Sequence, residues 1–232
     1  MATLWTTIAS FISLGGPVVV LLLLLSVVAV ALSLLKIFQF RLERVGRHKT
    51  VRNAVLHWQS GQKSEAKHQL NASAGILSDI VKIAIDGIDR RKLHREEIDE
   101  AVAVTATNRL HKLQSGFRVL DFISQIAPLL GLFGTVLGMI EAFQKLQGAG
   151  SVVDPAILAG GIWVALLTTA VGLAVAMPVS LILTWLESRI ENERVSIETN
   201  VSGILNTVLQ RDTEPQNSAQ SDGSNLALAH AN

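Results

Sequence analysis

Three long stretches of this chain carry no charged side chain: Ala2 to Leu35, Phe122 to Ile140, and Pro155 to Leu186. A helix needs about 20 apolar residues to cross the hydrocarbon core of a bilayer, and each stretch is close to that length or beyond it. Inside lipid no water can satisfy backbone N–H and C=O groups, so a spanning segment of this kind folds as a helix. Only 17% of all residues are charged, against about a quarter in a typical soluble domain. The deficit is confined to these stretches. Between and after them the chain is ordinary and polar, so one sequence is written for two solvents.

The first apolar run, Pro17 to Leu35, has 19 residues. A cleaved signal peptide would show a basic segment before a shorter apolar run and a small-residue cleavage site after it. Here no Lys or Arg precedes the run, and Lys36 follows it directly, so an uncleaved anchor is expected. The positive-inside rule then sets the orientation. Lys36, Arg41, Arg44, Arg47, Lys49 and Arg52 all follow the run, which places the N-terminus outside and the basic flank in the cytoplasm.

Residues 41–117 are polar. Ser60-Gly61-Gln62-Lys63-Ser64 reads as a turn entering a helix with Ser64 as a candidate N-cap. Between Leu93 and Phe117, Ile98, Val102, Leu110 and Leu113 recur at helical spacing. This helix either runs on into the second span or bends at Ser115-Gly116. The second and third spans are expected at about 119–142 and 156–185. A turn-rich segment of about a dozen residues joins them, which makes the two helices antiparallel neighbours. Asp154-Pro155 reads as a helix start with proline at the first helical position. The third helix is expected to continue past Glu187 into the cytoplasm. The Ser/Asn/Gln-rich segment 211–232 cannot bury enough apolar surface to fold and is expected to be disordered.

Small residues step along the second span at three- and four-residue intervals: Gly131, Gly134, Gly138 and Ala142. The third repeats the device with Ala165, Thr169, Gly172 and Ala176, and an overlapping stripe runs Thr168, Gly172, Ala176, Ser180. In lipid, helices associate through close backbone approach at small residues, so these stripes are read as packing faces. Thr135, Thr168 and Thr169 add hydroxyls to otherwise apolar helix. Such a hydroxyl can bond back to its own helix or line a narrow cavity that holds water. Pro128 and Pro178 lie inside the spans and are candidate bends. Asp121 and Glu141 lie near the ends of the second span, and no carboxylate lies at mid-membrane. A proton-moving role would therefore need a titrating group from elsewhere. There is no cysteine, the formal net charge is +1, and His48, His57, His68, His94, His111 and His230 do not pair at metal-ligand spacing. Neither a metal, a cofactor nor a nucleic-acid partner is called for, and no nucleophile–base pair suggests an enzyme.

The runs Ile126 to Met139 and Leu158 to Pro178 together resemble the second and third transmembrane signatures of the MotA/TolQ/ExbB family, ExbB above all. The resemblance covers about residues 118–190. It implies an all-α membrane protein with three transmembrane helices and long cytoplasmic helical extensions. The implied parts are the N-terminus and first span (1–40), a cytoplasmic helical region (41–117), the channel domain (118–190), a cytoplasmic helix (191–210) and the tail (211–232). It further implies a ring, commonly a pentamer, in a bacterial inner membrane. The ring surrounds a single-span ExbD- or TolR-type partner that brings a membrane aspartate, and proton flow energises a TonB-like protein. Thr135 and Thr169 match the family's pore-lining threonines, with Thr168 beside them. Where many relatives have glutamate, this chain has Val164, which cannot titrate. Two alternatives stay open: a TolQ-like role in envelope maintenance, and a scaffold whose small residues only pack helices.

Overall fold

The computed structural model describes residues 2–46, 48–91, 94–148 and 155–229, with side chains described for 16–46, 48–89, 94–148, 155–156 and 158–206. Seven α-helices follow one another among the described residues: α1 (Ala2–Leu42), α2 (Lys49–Gln59), α3 (Lys63–Ala72), α4 (Ile76–Asp86), α5 (Arg95–Gln114), α6 (Phe117–Gly148) and α7 (Pro155–Ala229). A π-helical turn, Gly87–Arg91, extends α4.

The chain divides into two compact units. The first takes Met1–Phe38 and Gln114–Glu187, and the second takes Gln39–Leu113 and Ser188–Asn232. Three helices are long and apolar enough to cross a membrane, over Gly16–Leu42, Arg95–Gly148 and Leu158–Asn206. In the most apolar window of each, only 22–28% of the residues are buried inside the chain. The outward surface is correspondingly apolar, with Val27, Leu129, Phe133, Trp163, Leu166 and Leu181 all exposed. A water-soluble protein does not leave so much large apolar surface uncovered. Lipid, or further apolar protein surface, is the solvent these residues are built for. The chain is a membrane protein.

In the first unit α1, α6 and the start of α7 meet on a small core of Val18, Leu22, Ala127 and Ala176, with Leu130, Val171 and Val175 against it. Lys36 is buried at the end of the α1 span, and its Nζ donates to Ser115 Oγ at 3.2 Å. Gly116, at φ 85°, breaks the backbone between α5 and α6. Of the two readings the sequence leaves open there, the structure takes the bend. Glycine carries that positive φ without the Cβ clash.

The second unit packs α2, α3 and α4 around Trp58, Leu70, Ile80 and Ile85. Ile98, Val102, Leu110 and Leu113 of α5 are all buried, as their helical spacing predicts. Asp89 in the π turn accepts from Lys63 Nζ at 3.2 Å and also from Lys67. Ser64 does not cap α3. The helix starts two residues earlier than a Ser64 cap would give, with Gln62 at the N-cap and no side-chain cap bond. Gly61 at φ 87° makes the turn, and His57 Nδ1 lies 2.5 Å from Gln62 Oε1. The turn is thus closed from the α2 side, and Lys63 is drawn into the helix toward Asp89. Pro155 opens α7 as expected, while its proposed capping residue, Asp154, lies outside the described residues. The α7 backbone stays helical through 211–229, where composition predicts disorder. Helical backbone bonds are local, i to i−4, and do not require the burial that this segment's composition lacks.

Candidate functional site

The seam between α6 and α7 is where small residues and hydroxyls converge. Gly131, Gly134 and Ala142 of α6 are buried, as are Ala165, Thr168, Gly172 and Ala176 of α7. The backbones approach so closely that side chains have no room. A Cβ added at Gly131 would stand 3.0 Å from the Thr168 carbonyl oxygen and 3.0 Å from Thr169 Cα. One at Gly134 would stand 2.6 Å from Thr168 Oγ1, and one at Gly172 only 2.5 Å from the Ala127 carbonyl oxygen. Gly138 sits against Ala165, where a Cβ would meet the Ala165 Cβ at 3.1 Å. Gly161 belongs to the same contact, since a Cβ there would collide with Ala142. It was not singled out from sequence, though Gly161 lies one turn before Ala165 on the same stripe. Gly160, its neighbour, faces open space.

The three threonines separate in this geometry. Thr168 is 2% exposed, and its hydroxyl donates to the Ala165 carbonyl at 2.7 Å and across the seam to the Gly131 carbonyl at 3.2 Å. Thr169 donates across the seam to the same Gly131 oxygen at 3.2 Å. Thr135 donates within its own helix, to Leu132 at 2.6 Å, and lines an open groove with Val136, Met139, Ile140, Phe143, Gln144 and Gln147. Thr135 and Thr169 are half-buried. A hydroxyl that has donated its proton still has two acceptor lone pairs. Thr135 and Thr169 therefore offer acceptors at partly open positions, whereas Thr168 is committed inside the seam.

Val164 is half-buried on α7. The backbones of α6 and α7 stay helical through Pro128 and Pro178. Asp121 accepts from Gln125 Nε2 at 2.8 Å, and Glu141 pairs with Lys145 at 2.8 Å, all of them exposed. The model of the MotA/TolQ/ExbB proton channel family matches residues 61–199, more than half of the chain, and the match takes in both α6 and this stretch of α7. The chain belongs to the MotA/TolQ/ExbB proton channel family. Its similarity to individual members is uneven along the chain. An ExbB homolog of biopolymer transport from Methanothermobacter thermautotrophicus is 26% identical over 224 residues, 89% of this chain and 78% of the other. The biopolymer transport protein exbB1 of Vibrio cholerae is 42% identical over 80 residues, about a third of each protein (34% and 35%). The Tol-Pal system protein TolQ of Haemophilus influenzae is 35% identical over 78 residues, again 34% of each. Several relatives are thus matched over only about a third of their length, at higher identity than the Methanothermobacter homolog matched over 78% of its own.

One buried acid escaped the sequence reading. Glu193 is 2% exposed. In the second unit its carboxylate accepts from the Gly46 backbone N–H at 2.9 Å and lies 3.6 Å from His48 Nε2. It sits in the charged run Glu187-Ser188-Arg189-Ile190-Glu191-Asn192-Glu193-Arg194, and nothing in that run marks it as the inward member except its spacing from buried Leu186, Ile190 and Ile197.

Proposed function

We propose that this chain is the ExbB-like subunit of an inner-membrane motor driven by proton flow. On this reading several copies, five in the family's usual ring, enclose an ExbD-like single-span partner that carries a membrane aspartate, and a TonB-like protein takes up the work. The N-terminus is outside and the C-terminus in the cytoplasm. The chain conducts and couples rather than catalyses a reaction.

The observation that carries the reading is the pair of half-buried hydroxyls, Thr135 and Thr169, each with its proton already donated to a backbone carbonyl. What they present is acceptor lone pairs. A carboxylate only accepts, whereas a protonated carboxylic acid donates. Such a surface favours the neutral acid over the ion in an apolar setting, where an isolated charge is costly. A partner's aspartate could thus be carried past it protonated and release its proton beyond. Thr168 has a different part, holding the register of α6 against α7. Val164 leaves the surface without a charge of its own, so transport rests on the partner's carboxyl. Proton uptake that appeared only after Val164→Glu was introduced would contradict this.

The deciding experiment is the native mass of the detergent-solubilised complex after co-expression with a single-span partner bearing a membrane Asp. A ring of several copies holding fewer partner chains supports the motor. A monomer or dimer that ignores the partner sinks it. The similarity to a TolQ keeps a second reading in view. Deletion that abolishes iron–siderophore uptake favours the ExbB-like role, and deletion that makes the envelope leaky favours the TolQ-like one.

A further inference from the structure

We propose that residues 43–46, the turn that follows α1, form a sprung latch: a strained stretch of backbone held shut by the charge of Glu193 on α7, and released when α7 withdraws that charge. The strain comes first. Arg44 sits at φ 52°, the only non-glycine residue at positive φ among the described residues, and Gly46 follows at φ 88°. An L-residue in the left-handed region brings its Cβ against the next carbonyl oxygen. Such a conformation persists only where the surroundings impose it. The turn's own hydrogen bonds are long. Arg44 N–H donates to the Arg41 carbonyl at 3.3 Å and Val45 N–H to the Phe40 carbonyl at 3.2 Å, at or past the end of the usual range.

The surroundings supply what the turn lacks. From one side the Glu193 carboxylate accepts the Gly46 N–H at 2.9 Å, and a bond to an ionised acceptor is stronger than a neutral one. Arg189, one turn earlier on α7, lies so close that a Cβ at Gly46 would stand 3.0 Å from its Nη1. From the other side comes Gly75, the N-cap of α4. A Cβ there would stand 3.2 Å from the Glu43 carbonyl oxygen and 3.6 Å from Arg44 Cβ. The turn is thus wedged between α4 and α7, all of them within the second unit, and the charged bond comes from α7.

The closed shape carries further costs. His48 turns Nε2 toward Glu193, 3.6 Å from its Oε2, while its Nδ1 is buried without a hydrogen-bond partner. A buried unpaired nitrogen is costly, and so is a carboxylate buried to 2% exposure. The Arg44 backbone, the His48 nitrogen and the buried acid meet at one place, and contacts to a single carboxylate offset all three. Once that carboxylate leaves, an open turn relieves each of them. A local charge contact that biases a two-state element is what conformational switches are made of. Gly46 lies beyond the uncharged run that ends at Leu35, and Glu193 beyond the one that ends at Leu186. The latch is therefore a releasable fastening between α1 and α7, just past the apolar stretch of each.

The test is backbone amide hydrogen exchange of the full chain in liposomes, read by mass spectrometry on peptides that cover residues 43–46 and α5. Glu193→Gln keeps an oxygen acceptor for Gly46 and removes the charge. Exchange in the turn should become about tenfold faster, with α5 unchanged. Arg44→Gly removes the strain at φ 52° and leaves the carboxylate in place, so exchange in the turn should become about fivefold slower than in the native chain. A turn without stored strain would behave in the opposite way, because glycine adds freedom to the open chain. Faster exchange in Arg44→Gly therefore overturns the proposal. So does unchanged exchange in Glu193→Gln, since the charge would then not be the holder. Faster exchange of α5 together with the turn would show that Glu193 supports the whole unit, and that too overturns it.

Discussion

Gly134→Ala measures how tightly α6 and α7 are held. The new Cβ would lie 2.6 Å from Thr168 Oγ1, 2.8 Å from Thr168 Cβ and 3.2 Å from Thr168 Cγ2. Thr168 Cβ cannot rotate away, so the helices must part or the backbone must shift. Overpacking of this kind costs about 1–3 kcal/mol. Alanine also gains about 1 kcal/mol over glycine in a helix interior, which would mask part of that cost. Gly160→Ala supplies the control: it receives the same helical gain with nothing within 4 Å of its Cβ. The gain cancels in the comparison, and Gly134→Ala should be less stable than Gly160→Ala by about 1–3 kcal/mol. The assay is reversible unfolding of the full chain in mixed micelles. Thr168→Gly in the Gly134→Ala background removes all three close atoms, and the double-mutant cycle should show a coupling of about 0.5–3 kcal/mol. If the two alanine variants unfold alike and the coupling is nil, the close approach at Gly134 is not what holds the seam.

Thr135→Val and Thr169→Val are near-isosteric and should leave the assembled complex intact while reducing energy-dependent uptake. Unchanged uptake in both would favour a passive scaffold. Glu193→Ala strands the Gly46 N–H that its carboxylate accepts from. It should destabilise the second unit by about 1–3 kcal/mol, whereas Glu193→Gln, which keeps an oxygen acceptor, should cost less. Equal losses in an unfolding titration would refute that account. Hydrogen bonds from Lys67 and then Lys63 hold the Asp89 carboxyl below its ordinary value of 3.8. The contact therefore stabilises the fold at pH above the ordinary value and is lost as pH falls through the depressed one. Asp89→Asn should flatten that acid limb of stability against pH, and an unaltered limb would show that Asp89 does not set it.

Much of the fold is legible along the chain because lipid imposes few solutions. Uncharged runs of spanning length, a proline at residue 155 and the buried set Ile98, Val102, Leu110 and Leu113 follow from local pattern. The break at Gly116 could be located but not decided, because a glycine is tolerated in a helix as well as at its end. Ser64 misled: a hydroxyl after a turn is a good cap in isolation, yet Gly61 and the pull of Asp89 on Lys63 start the helix sooner. Glu193 was invisible, since an acid among acids and arginines looks solvated until a backbone N–H from Gly46, far away in sequence, comes to meet it.

The sequence alone determined that this chain enters a membrane, how many helices are long enough to cross it, and which small-residue stripes those helices carry. Each of these depends on residue type and spacing along one helix. Only the tertiary structure decided what each threonine hydroxyl bonds to and how deeply it is buried. Thr168 and Thr169 are neighbours on α7 and chemically identical, and both hydroxyls reach the Gly131 carbonyl, but a turn of 100° per residue buries Thr168 and leaves Thr169 half-buried. Which of the two is the more deeply buried depends on where α6 lies, and that is a property of the packed pair, not of either helix alone.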